Sequence, residues 1–254
     1  MTSPLWLKIR KVGGFVLTFG VLTGLFYLVF FSSFFEITKV TPEKNGNAVS
    51  GTQLAPFLEK FKGKNLLFLR TDALTKELEQ TFRNEILFVQ IKKSYRNRLI
   101  VKVDEYRAVI NLRVLAGDTI QKFVLNQIGY AIFENTELKE LPLLILKTDK
   151  TLPKKSILIP QEKLIPMVAA ITKFQELFGM KIIETEWKKT ERELHLKTEK
   201  NFYVWLDLTA GPEQQLNKLK RALPKLAISQ DALEYIDLRI AGADYEKVIF
   251  KRRK

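Results

Sequence analysis

No cysteine occurs in this chain of 254 residues, and histidine occurs once. The first absence excludes disulfides, thiol nucleophiles and cysteine-ligated zinc. It fits either side of a membrane. The second leaves His195 without another imidazole or a thiol from which a familiar triad could be built. His195 stands in ERELHLK, between Leu194 and Leu196. In a strand it takes the face opposite both leucines, as a packed or exposed strand residue. The patterns GxSxG and HExxH, the P-loop and the dinucleotide-binding glycines are also missing. Carboxylates are plentiful, yet no pair is singled out by its surroundings as a glycosidase pair would be. The sequence therefore predicts a non-enzyme, with no catalytic residue, no metal, no cofactor and no small-molecule substrate.

What is present begins with charge. There are 42 basic and 28 acidic residues, for a net charge of +14 at pH 7. Lysine and arginine are spread along the whole chain, and no nucleic-acid-binding signature accompanies them. The surplus reads as a solvated basic surface, with no nucleic acid as partner. Hydrophobic residues make up 46% and charged residues 28%, the balance of a folded chain with a sizeable core.

The longest apolar run, VGGFVLTFGVLTGLFYLVFFSSFF from Val12 to Phe35, carries no charge. As a helix it reaches roughly 36 Å, against about 30 Å for a hydrocarbon core. Lys8, Arg10 and Lys11 precede it, and no acid occurs before Glu36. The positive-inside rule places residues 1–11 in the cytoplasm, 12–35 in the membrane and everything later outside. A cleaved signal would be shorter and end in a small-x-small site. Here bulky Phe31 lies three residues before the Ser33–Phe34 bond, so an uncleaved anchor is expected. Gly20 and Gly24 form a small-xxx-small pair of the kind that lets two membrane helices approach.

Beyond the span, EITKVTP reads as a strand and Lys44 to Gly51 as a polar loop. A short helix follows over Gln53 to Phe61, with Leu54, Phe57, Leu58 and Phe61 on one face and Gly63 as its stop. NLLFL, Asn65 to Leu69, is an apolar link. A second helix carries Leu74, Leu78 and Phe82 on one stripe, with Thr71 or Asp72 as its N-cap. Two strands complete the domain, Ile86 to Lys93 and Arg98 to Tyr106, joined by an RNR turn. Leu87, Val89 and Ile91 alternate in the first, and Leu99, Val101 and Val103 in the second.

From Val109 strands dominate: 109–115, 121–126 and a further strand after a turn at Gly129. The Glu140-Leu141-Pro142-Leu143-Leu144 stretch leads into another apolar segment. Pro160 opens a helix to Phe178, with Leu164, Val168, Ile171 and Phe178 as its stripe and Gly179 as the stop. Strands near 181–188, 192–199 and 202–208 follow. Pro212 opens a helix with Leu216, Leu219, Leu223 and Leu226 on one face, and Pro224 disturbs its last turn. Strands at 234–240 and 246–251 end the sequence. In the first, Tyr235, Asp237 and Arg239 share one face and Ile236, Leu238 and Ile240 the other. Asp237 and Arg239 either pair with each other or bond neighbouring strands and loops, and a pinning contact within the sheet is preferred to a binding site.

The order β-α-α-β-β after an apolar anchor, carried by FFEITKV, NLLFL and VQIKKSYRNRLIVKVDEYRAVI, resembles a POTRA domain, and in particular that of the bacterial division protein family FtsQ/DivIB. Tyr95-Arg96 stands where Trp-Pro is frequent in that family, and Ala108 where Pro is frequent. The later order is similar to the family's C-terminal β-domain: a Gly-aromatic strand pair before "LP", a helix, a three-strand meander, a Leu-striped helix and a YIDLR strand. The resemblance implies an α+β chain: transmembrane helix, POTRA domain over 36–107, β-domain with two packed helices over 108–251, and basic tail over 252–254. It implies a divisome scaffold holding FtsB- and FtsL-like proteins at the septum, with the FtsB-like partner bound at positions Ile240, Lys247, Val248, Ile249 and Phe250. Asp237 and Arg239 would be its structural motif. A POTRA-containing envelope transport or assembly factor, and a membrane-anchored wall-processing protein, are the other readings. On that final strand Val248 and Phe250 face one way and Lys247 and Ile249 the other, so one set is free for a partner strand. Lys251, Arg252, Arg253 and Lys254 would either guide an acidic segment or discourage sheet-to-sheet aggregation.

The topology predicts that protease added to intact spheroplasts digests the bulk beyond Phe35. Protection until the cells are opened, read by immunoblot against that bulk, overturns it.

Overall fold

The computed structural model describes residues 4–45, 51–94, 97–225, 233–240 and 248–253. It is an α+β chain that divides into two compact units, Met1–Glu105 and Tyr106–Lys254.

The first unit begins with helix α1, Pro4–Phe30. Its stretch Gly13–Phe30 is long and apolar enough to cross a membrane, and none of it is buried within the protein. Two hydroxyls inside that stretch are satisfied by the helix itself. Thr18 Oγ1 donates to Gly14 O at 2.9 Å and Thr23 Oγ1 to Phe19 O at 2.8 Å, the arrangement an apolar environment demands. The helix stops at Phe30, short of the expected Phe35. Ser32 accepts a hydrogen bond from Phe34 N at 3.1 Å and caps a separate 3-10 turn, Ser33–Phe35. Serine competes with the helix for backbone groups, so the Ser32-Ser33 pair breaks a run that remains apolar. A Cβ built on Gly20 or Gly24 would meet nothing within 4 Å.

The rest of the unit is built from β1 (Lys39–Asn45), α2 (Gly51–Glu59), α3 (Thr71–Thr81), β2 (Ile86–Ser94) and β3 (Arg98–Glu105). The sheet order is β1-β3-β2, with β1 parallel and β2 antiparallel to the central β3. Leu99, Val101 and Val103 of β3 are fully buried beneath Leu54, Leu58 and Phe61 from the α2 region and Leu74, Leu78 and Phe82 from the α3 region. These are the stripes that helical periodicity picks out.

Four local expectations are corrected. β1 starts at Lys39 rather than Glu36 and continues through Lys44 and Asn45, read as loop, because β3 pairs with it from Arg98 to Asp104. Pro42 is tolerated because β1 is an edge. Helix α2 is shifted towards its start, Gly51–Glu59 in place of 53–61. Thr71 is the first helical residue of α3, and Arg70 stands at the N-cap without a side-chain bond. Leu87 is exposed, not buried. A bulge between Ile86 and Phe88 resets the phase so that Ile86 and Val89 face the core. Of the expected hairpin turn, Asn97 adopts a φ of 61°, while Tyr95 and Arg96 lie outside the described residues.

The second unit contains β4 (Ala108–Ala116), β5 (Thr119–Asn126), β6 (Ala131–Glu134), β7 (Leu143–Thr148), α4 (Gln161–Phe178), β8 (Ile182–Lys188), β9 (Glu193–Thr198), β10 (Tyr203–Asp207), α5 (Pro212–Ala222), β11 (Leu233–Asp237) and β12 (Ile249–Arg252). All nine strands form one sheet in the order β12-β11-β10-β9-β8-β7-β4-β5-β6. Pairs β4–β7, β7–β8 and β10–β11 are parallel and the others antiparallel. Leu112, Leu144, Leu194, Leu206 and Ile236 share one core with Leu164 and Phe174 of α4 and Leu216 and Leu219 of α5.

The α4 stripe is Leu164, Met167, Ile171 and Phe174, with Ala170 beside it, while Val168 and Phe178 are half-buried at its margin. Gly179 ends α4 with a φ of 61°. A 3-10 turn, Leu223–Lys225, follows α5 where Pro224 interrupts it; Leu226 lies outside the described residues. β11 ends at Asp237, not at Ile240, because Asp237 Oδ1 accepts Arg239 N at 3.0 Å and turns the backbone out of the ladder. β12 is displaced towards Arg252 relative to the expected 246–251.

Gly129 has a φ of +79°, and a Cβ there would stand 1.7 Å from Ile159 O. Gly117 has a φ of +56° with open space around it. Gly129→Ala should therefore destabilise the protein by on the order of 4 kcal/mol, strain and overlap together, and Gly117→Ala by about 1–2 kcal/mol. Urea unfolding in detergent checks the ordering.

Candidate functional site

β12 lies at one end of the large sheet and pairs on one side only, with β11: Tyr235 opposite Lys251, Ile236 opposite Phe250, and Asp237 opposite Ile249. No other strand among the described residues pairs with it. An edge strand of this kind is a place where a further strand can add. Ile249 is 47% exposed and Phe250 38%. Val248, just before β12, is half-buried against the core. The alternation thus resolves with Val248 towards the core, Phe250 at the rim of that same face, and Ile249 on the face of Tyr235 and Asp237. Ile240 is exposed beyond the end of β11. Lys247 lies outside the described residues. Lys251, Arg252 and Arg253 are exposed.

The face opposite the helices is more ordered than the sequence suggests. Register places Glu186, His195, Trp205, Asp237 and Ile249 in one row across β8 to β12. Within it the His195 and Trp205 rings stack at 4.9 Å between centroids, and Trp205 stacks on Tyr235 at 4.1 Å with an interplanar angle of 8°. The Arg239 guanidinium lies 4.8 Å over Trp205, in position for a cation–π attraction.

Asp237 and Arg239 pair with each other. Arg239 Nε donates to Asp237 Oδ1 at 2.8 Å and Nη2 to Oδ2 at 2.6 Å. This fork-to-fork geometry is the strong form of the pair. Arg239 Nη1 also binds Glu193, whose other oxygen meets His195 Nε2 at 2.9 Å. The pinning pair is therefore part of a chain running from β11 to β9. Burial raises the Asp237 pKa, but the Arg239 hydrogen bonds and charge outweigh it and hold the carboxyl below the usual aspartate range. The same bond to Asp237, and a second to Glu193, raise the Arg239 pKa further against the opposing effect of burial. Beneath this, buried Lys218 of α5 donates to Ile240 O at 3.2 Å and so holds the segment that leaves β11. Burial pushes its pKa down, partly countered by the Asp237 charge.

Sequence reasoning missed Glu193, Trp205, Tyr235 and Lys218. Each is unremarkable in its own segment; strand register joins Glu193, Trp205 and Tyr235, and packing of α5 on the sheet brings in Lys218. Among the described residues no three His, Asp or Glu side chains converge to hold a metal ion. Comparison with protein-family models and with curated proteins finds no match.

Asp237→Asn keeps the shape but removes the charge. It should cost about 2 kcal/mol at neutral pH, since the partner guanidinium is only partly solvated. A carboxyl whose folded-state pKa is depressed stabilises above its unfolded value and loses that contribution as pH falls through the folded value. The gap between wild type and variant should therefore be complete above about pH 4 and shrink below it. Urea midpoints across the acid range measure this.

Proposed function

We propose that the chain is a single-pass membrane scaffold of the bacterial division machinery, similar to FtsQ/DivIB, holding FtsB- and FtsL-like partners at the septum. Three features support the reading. Helix α1 has the length and composition of an anchor. The rest of the first unit has the element order β-α-α-β-β that the resemblance to a POTRA domain implies, in a sheet of order β1-β3-β2. The second unit ends its sheet on β12, which pairs with the strand of the YIDLR segment and exposes Ile249 and Phe250.

The observation that carries the proposal is that β12 ends the sheet, with no strand on its outer side among the described residues. A partner segment in extended form supplies the missing backbone hydrogen bonds, and Ile249 and Phe250 present apolar side chains above and below it. Exposed apolar side chains on an edge strand invite indiscriminate pairing. Lys251, Arg252 and Arg253 favour an acidic partner segment and discourage a second copy of the same basic edge.

Ile249→Asp and Phe250→Asp should each abolish co-purification with an FtsB-like protein from mild detergent while circular dichroism stays unchanged. Retention of the partner by both variants defeats the docking edge. Loss of the fold in either one reassigns that residue to the core.

A further inference from the structure

The segment NLLFL, Asn65 to Leu69, divides its large side chains between two environments. Leu66 is buried in the small core, whereas Leu67 is 47% and Phe68 53% exposed. The exposed pair is held against the end of α1. Asn65 Nδ2 donates to Val29 O, an α1 carbonyl close to the end of that helix, at 2.6 Å. Leu66 N donates to Phe35 O at 2.7 Å. The Phe68 ring stacks on Phe30 at 4.6 Å between centroids. Phe30 is the last residue of the apolar stretch Gly13–Phe30, so Phe68 lies at the level where that stretch ends.

The loop is also built for an environment poor in water. Leu67 N donates to Asn65 Oδ1 at 2.9 Å and Leu69 N to Asn65 O at 3.2 Å. Leu67 O accepts from Lys93 Nζ at 3.0 Å. Irregular backbone needs such partners wherever lipid replaces water. Lys64 and Arg70 bracket the segment in sequence, and both are exposed.

We propose that Leu67 and Phe68 enter the interfacial layer of the bilayer that α1 crosses, giving the first unit a second, non-helical contact with lipid. The proposal rests on reading α1 as membrane-spanning. The occupant is lipid because the exposed pair continues the apolar surface of α1 without a break, through the Phe30–Phe68 stack. Phe and Leu are side chains that interfacial segments bury at the headgroup–acyl boundary, and the exposed Lys64 and Arg70 that flank the segment can reach up to headgroup phosphates. Two contacts with one bilayer fix the tilt of the small domain against the membrane plane, which a single helix leaves free.

Phe88 provides an internal control. It is 51% exposed, but it sits at the opposite end of β2 from Lys93, about 17 Å along the strand. The cysteine-free sequence admits one thiol at a time. Full-length Leu67→Cys, Phe68→Cys, Phe88→Cys and Leu22→Cys variants, each labelled with a nitrobenzoxadiazole fluorophore, are placed in phosphatidylethanolamine–phosphatidylglycerol vesicles. Quenching by aqueous iodide and by shallow doxyl-labelled lipid is then measured. Labels at positions 67 and 68 should resist iodide several-fold better than at 88 and be quenched by the shallow lipid probe, with the label at 22 protected throughout. Iodide access at 67 and 68 equal to that at 88, with 22 protected, overturns the insertion while leaving the anchor intact. Access at 22 overturns the anchor itself, and the insertion with it.

Discussion

Asp237 accepts hydrogen bonds from three nitrogens of one residue, Arg239, and burial of the carboxylate makes those bonds necessary. The bond from the backbone N–H removes Arg239 from the β-ladder and ends β11. The two from the side chain aim the guanidinium back across the sheet, over Trp205 and on to Glu193. One acidic residue thereby sets both the length of the penultimate strand and the composition of the face beside it. Lys218 reaches the same region from below, through Ile240 O, so helix α5 and the outer face of the sheet meet at one turn.

The two edges of the large sheet are treated differently. At β6 the segment around Ile157 lies alongside: Tyr130 bridges to Ile157 and Ala131 N donates to Ser156 O at 3.0 Å. Close approach there is what requires glycine at 129, where Ile159 O occupies the space of a side chain. At β12 the outer backbone groups have no strand beside them among the described residues, and Ile249 and Phe250 are exposed. The edge is nonetheless tied inward, by Lys251 to Glu234 at 2.9 Å and by the Arg253 guanidinium to Asn201 O. A margin tied to its own sheet, with no strand on its outer side among the described residues, is what strand addition requires. The proposed scaffold role draws on this difference rather than on any single residue.

In the first unit the governing constraint is the end of α1. Ser32 and Ser33 break the helix where its composition would let it continue, and Asn65 satisfies a carbonyl close to that end. The small domain is thus joined to the helix by polar bonds as well as by the chain. The NLLFL segment reads in the sequence as an apolar link, and its split between buried Leu66 and exposed Leu67 and Phe68 follows from that junction.

Local rules alone determined much of the molecule. The apolar run of α1 lacks charge, the leucine and phenylalanine stripes of the α2 and α3 regions and Leu216 and Leu219 of α5 follow helical spacing, and Pro160 and Gly179 bound α4. Each rests on the physics of one segment, which its own residues carry. Tertiary structure decided what depends on pairs of segments. β1 runs to Asn45 because β3 offers partners that far, Leu87 faces outward because of a bulge, and Val168 yields to Met167 in the α4 stripe through packing on the sheet. His195, Trp205 and Tyr235 stack only because three strands share a register. Strand register is a property of neighbours, and no single stretch of sequence contains it.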